Sequence, residues 1–159
     1  ARVALLAGAA ALVVAAAYSL GAPWLSRLEV QNAAHVWTRA PATAYSRLDQ
    51  AATLNPLSAE PYLVAGSIAL RYGDLTRAER EFTLALQRSH RDVYATLELG
   101  AIASSRGRRA AALVLLRRAA ALNPRDALTR QALATTRAGG RVDIEELNRA
   151  ILLIAQQTS

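Results

Sequence analysis

Two histidines, twelve acids and nineteen basic residues are spread through 159 residues, and few of them are spaced for chemistry. His90 and Asp92, one residue apart, could supply half of a metal site. Zinc requires three or four ligands and no third candidate lies nearby, so the pair reads as a surface turn. Glu145 and Glu146 are adjacent; on a helix they point in different directions and do not form an acid/base pair. The chain has no cysteine, which excludes disulfides, thiol nucleophiles and cysteine metal sites. All nineteen basic residues are arginine, so a Walker A lysine and a Schiff-base lysine are also excluded. No G-x-S-x-G, H-E-x-x-H or glycine-rich phosphate loop occurs. The expectation is a chain with no catalytic residue, no metal and no cofactor, whose function lies in a binding surface.

The elements that would carry that surface repeat. From Ala59 to Asp92 the chain reads as two helices joined by a tight turn. Tyr62, Ala65, Gly66 and Ala69 share one face of the first, Gly73-Asp74 breaks the pattern, and Ala78, Phe82, Ala85 and Leu86 mark the inner face of the second. The plan recurs 34 residues later: Gly66 as Gly100, Gly73 as Gly107, Ala78 as Ala112, Phe82 as Leu116, Ala85 as Ala119. The same offset backwards aligns Ala44, Leu48 and Ala51. Small residues at these positions let two helices approach closely, with Phe82 or Leu116 filling the remaining volume. A single hairpin of this kind cannot bury its apolar face, so neighbours must stack.

This period and residue plan resembles the tetratricopeptide repeat (TPR). Leu99-Gly100, Ala78-x-x-x-Phe82 and Pro124 match the pattern; Tyr62 and Thr96 stand where Trp is usual, and His90 where Pro is usual. The resemblance implies an all-α fold, a short solenoid of antiparallel helix hairpins. We divide the chain into a transmembrane helix (1–24), a degenerate first repeat (25–56), two repeats (59–126) and C-terminal capping helices (127–157).

Local signals fix the ends. Ser58 is expected to cap one helix, Asp74, Asp92 and Asp126 the next ones, and Asp143 with Glu146 to form a capping box. Pro41 suits the first position of a helix ending at Asn55-Pro56. Gly73 and Gly107 suit left-handed helix ends, and Gly139-Gly140 terminates the helix before it. The last helix carries Ile144, Leu147, Ile151 and Ile154 on one face and should close the open end of the array. Gln156 to Ser159 should fray.

Val3 to Leu20 carries no charge, and the apolar run extends to Trp24. At 1.5 Å per residue it spans roughly 33 Å, about one hydrocarbon core. We expect a transmembrane helix, contacting lipid through residues 3–24, over the rival reading of a signal peptide cleaved near Ala15-Ala16-Ala17. Gly21-Ala22-Pro23 should break it at the membrane surface, with a helix from Leu25 to Arg39 beyond. The ridge Ala7, Ala11, Ala15, Ser19 suits packing against other spans. The absence of methionine and the start at Ala1 point to a fragment or processed form of a longer product.

The net charge is +7. Between Glu98 and Asp126 lie Arg106, Arg108, Arg109, Arg117, Arg118 and Arg125 and no acid, read as a solvated outer face before contact with anionic headgroups. Nucleic acid is disfavoured because no aromatic residues interleave with these arginines.

The TPR resemblance implies a groove lined by the first helix of each hairpin. Its positions correspond here to Glu60, Leu63, Ser67 and Arg71, then Tyr94, Leu97, Ala101 and Ser105, then Gln131 and Thr135 of the closing helix. The lysine/asparagine carboxylate clamp of some TPR domains is missing, and a protein or peptide ligand fits the mixture. The apolar segment together with LDQAATLNPLSAEPYLVAGSIALRYGD and YATLELGAIA resembles the C-terminal end of bacterial membrane proteins of the O-antigen ligase/polymerase family. That implies a non-catalytic tail in the bacterial cytoplasmic membrane, on a side the charges leave open. The alternatives are a stand-alone single-pass scaffold of an envelope complex and a soluble basic adaptor for nucleic acid.

Overall fold

Proline at position 23 does not interrupt the chain. A computed structural model describes residues 21–157, the side chain of Ala155 excepted, and residues 21–36 form one helix, α1. The break expected at Gly21-Ala22-Pro23 is not found within the described helix. Most of the expected transmembrane segment lies outside the described residues. Among those described, no helix is long and apolar enough to cross a membrane. The described residues form helices and connections without a strand, in two compact units that divide between Val64 and Ala65.

In the first unit, α1 stops at residue 36, short of Arg39, in a turn closed by Trp37 N–H to Ala33 O and Ala40 N–H to Val36 O. Helix α2 (Pro41–Leu54) starts with proline at its first position and ends on Asn55, whose N–H donates to Ala51 O. Ala44, Leu48 and Ala51 are buried as the register requires. The Ser26 hydroxyl donates to Ala51 O at 2.8 Å, and Arg47 pairs with Glu29 at 2.8 Å, so polar ties join α1 to α2. Helix α3 (Glu60–Arg71) begins two residues after Ser58. Ala59 O accepts from Leu63 N–H, and Ser58 Oγ accepts from Glu60 N–H at 3.2 Å. Pro61, the third residue after Ser58, has no N–H, so the serine oxygen takes the Glu60 N–H alone.

The second unit comprises α3 from Ala65 onward, α4 (Leu75–Arg88), α5 (Val93–Ser105), α6 (Arg109–Leu122), α7 (Ala127–Arg137) and α8 (Ile144–Gln157). Helices α5 and α6 pair along their length, α4 packs on α5, and α6 packs on α7. The glycines set the closest approaches. A Cβ at Gly66 would lie 2.8 Å from Phe82 ring carbons, and one at Gly100 2.8 Å from Leu116 Cγ. Gly73 and Gly107 adopt φ of 72° and 74°, and the residue after each returns its N–H to Ala69 O and Ala103 O. Asp74 Oδ1 accepts from Arg77 N–H, Asp92 Oδ1 from Ala95 N–H, and Asp126 from Leu128 and Thr129 N–H. Arg108 occupies the equivalent of Asp74, and α6 begins without a side-chain cap.

The last hairpin departs from the pattern. Three residues join α3 to α4 and α5 to α6, but Ala138–Asp143, six residues, join α7 to α8. Asp143 does cap α8, accepting from the N–H groups of Glu145 and Glu146. Helix α8 runs to Gln157, past the residue where fraying was expected. It does not pair with α7 as α6 pairs with α5. It touches α5 and α7 alike, because the longer connection carries it back over the face those helices share.

Candidate binding groove

The ten residues that the repeat register assigns to a groove lie on α3, α5 and α7. Glu60 is exposed and Leu63 half-buried in the part of α3 that belongs to the first unit. The other eight lie in the second. Ser67 Oγ and Tyr94 OH are hydrogen-bonded at 2.9 Å, joining α3 to α5, and the Tyr94 ring meets Phe82 edge-on at 5.5 Å. Ser105 donates back to Ile102 O on its own helix. Leu97 and Ala101 are buried in one apolar cluster with Ala132, Leu133, Val142 and Leu147; they form the floor of the groove, and α8 covers it. Gln131 and Thr135 face α8 across a cleft of about 140 Å³, also lined by Leu128, Glu146 and Leu147. Arg71 lines a second cleft, of about 490 Å³, with Leu70 and Leu75 on one side and Ile144, Asn148, Arg149 and Leu152 of α8 on the other. Helix α8 therefore lies between two clefts, on positions the register reserved for a ligand.

A short polar chain fixes the start of α8. Val142 N–H donates to Ser104 Oγ at 3.2 Å, and Ser104 and Thr136 hydroxyls are 2.8 Å apart. Thr136 donates its hydrogen to Ala132 O, so the Ser104 hydroxyl must be the donor to Thr136. Each buried hydroxyl is thereby satisfied.

Sequence reasoning missed Glu98. It is completely buried, one turn after Tyr94 on α5, and neither carboxylate oxygen makes a hydrogen bond of ordinary geometry. Burial pushes its carboxyl up to about 8, and the Tyr94 hydroxyl offsets only part of that. Burial, followed by the carboxyl of Glu98, pushes the Tyr94 hydroxyl well above its ordinary value. Glu98 is accordingly a neutral acid at pH 7. The register carried a signal for it: the residues 34 positions away are Val64 and Ala132, both apolar, so an acid in this frame was anomalous.

All six arginines of the stretch are exposed, as expected of a solvated face, and four of them also reach across to other repeats. Arg106 and Arg108 both bind Glu79, Arg106 also donating to Thr76 Oγ1. Arg109 donates to Thr136 O and Arg137 O at the end of α7, and Arg118 to His90 O. Each crosses to a neighbouring repeat, so the acid missing from the local sequence comes from the repeat before. His90 is thus a turn residue and Asp92 a cap; among the described residues no group of three metal-ligating side chains occurs.

Helix hairpins stacked at a 34-residue period, with glycine against Phe82 and Leu116, decide the fold. It is the fold of tetratricopeptide-repeat domains. The Arabidopsis OM64 TPR domain is similar to this chain with a TM-score of 0.66 at 21% identity, over 74% of this chain and 98% of that one. The MamA protein is similar with a TM-score of 0.62 at 16% identity, over 82% of this chain and 69% of that one. No family profile and no curated protein sequence matches the chain. Within this TPR fold the groove is already roofed by the chain's own last helix.

Proposed function

We propose that this chain is a non-catalytic TPR module that binds a protein or peptide on the face shared by α3, α5 and α7. The observation that carries the reading is the convergence of Arg71, Gln131 and Thr135, from two different helices, on clefts with apolar floors beside α8. Apolar pockets rimmed by a few polar groups suit an extended or helical peptide. Leu97 and Tyr94 pack the interior, so alanine there would report on folding instead of binding. The informative variant is Arg71→Glu with Gln131→Arg. A partner retained by the unaltered chain, identified by mass, should be retained at least tenfold less by this variant and equally by Arg117→Glu on the exposed part of α6. Equal retention by all three would exclude the groove.

The membrane anchor belongs to the same proposal. It is supported by the uncharged run Val3 to Leu20 and by Trp24, 64% exposed on α1, an aromatic residue suited to a membrane interface. A place at the C-terminal end of an O-antigen ligase-like, glycan-handling membrane protein of the bacterial cytoplasmic membrane is supported by the repeat phrases alone. The native product should resist extraction by high salt and leave membranes only with detergent. Release by salt would remove the anchor and favour a soluble adaptor.

A further inference from the structure

Helix α8 is tethered firmly at one end and sparsely along its length. The tether is Val142 N–H on Ser104 Oγ. Beyond it, Leu147 is the one buried side chain of the described part of the helix, whereas α6 buries Ala112, Leu116 and Ala119 completely. Leu152, Leu153 and Ile154 remain 38%, 54% and 47% exposed. Gly139, at φ 88°, and Gly140 precede the tether, and the connection is twice as long as in the preceding hairpins. What α8 covers is the groove floor, Leu97 and Ala101, with Gln131 and Arg71 at its sides.

We infer that α8 is a displaceable occupant of the groove and that the partner replacing it is an amphipathic helix carrying aliphatic residues at the Ile144, Leu147, Ile151 spacing. A floor that accepts Leu147 between two clefts accepts the same pattern from another chain. The inference deepens the groove reading and rests on it. A tethered occupant lowers the apparent affinity for an external helix by the fraction of chains whose groove is open. Weakening α8 should therefore raise affinity for a free helix.

The probe is a fluorescent synthetic peptide of residues 141–157, added to the full chain and followed by anisotropy. Leu147→Ser should bind it at least tenfold more tightly than the unaltered chain, and Leu153→Ser, on the exposed side, should match the unaltered chain. A peptide of the same composition with the aliphatic residues moved off one face should not bind. Ile151→Ser is the second variant, should Leu147→Ser lose its helical circular dichroism. Equal affinity in the folded variants and the unaltered chain, or no binding to any of them, would overturn the inference. The Arg71→Glu, Gln131→Arg retention assay is independent: if it succeeds while the peptide fails, the groove reading stands without α8 as its occupant.

Discussion

At Gly66 and Gly100 a single hydrogen in place of a methyl group decides whether helices can touch. A carbon placed there would sit 2.8 Å from Phe82 or Leu116, well inside van der Waals contact. Glu98 presents the opposite case, a carboxyl whose burial favours its neutral form. The folded protein holds its proton up to about pH 8, while an unfolded chain releases it near 4.5. Folding thus takes up a proton between those values, and stability falls as pH rises through that window before levelling off. Glu98→Gln should be more stable than the unaltered chain by up to about 4 kcal/mol at pH 8 and equal to it near pH 4. Urea melts at the two pH values test this; a pH-independent difference would mean that Glu98 ionises in the folded state as it does in water.

At the scale of the element, helix starts were largely readable from the chain because a cap is a local event. An aspartate two or three residues ahead of a free N–H makes its bond whatever the tertiary surroundings. Asp74, Asp92, Asp126 and Asp143 all do so. Asp126 accepts from two N–H groups and from the Thr129 hydroxyl. Asp126→Ala should lower stability by about 1–2 kcal/mol, and Asp126→Asn by less, as measured from thermal melts; equal losses would assign the effect to charge instead of the cap. Ser58 makes the weaker version, accepting from Glu60 N–H alone at 3.2 Å, because Pro61 has no N–H to add. Helix α8 was also legible as a helix, and its apolar face was identified correctly through Leu147. Its destination was not, since a helix face states that it must be buried and leaves open against what.

Across the second unit, charge serves to register repeats. Arg106 and Arg108 reach back to Glu79, Arg118 to His90 O, and Arg109 forward to the end of α7. These ties are partly exposed, and each contributes modestly. Glu79 offsets part of the charge of Arg106 and Arg108, while Arg109 and Arg118 bind neutral carbonyls and keep theirs. The clefts beside α8 are where an apolar floor and a polar rim coincide.

From the residues alone, the repeat period, the close-approach glycines, the turn glycines and most of the caps could be derived. Each depends on one residue type in contact with its own hairpin, and such interactions are encoded at short range. Tertiary structure alone decided three things: that Glu98 is sealed from water, that the arginines find acceptors one repeat away, and that α8 folds back onto the groove. All three involve residues brought together by the stacking of separate hairpins. Distance along the chain carries no record of those meetings until the helices pack.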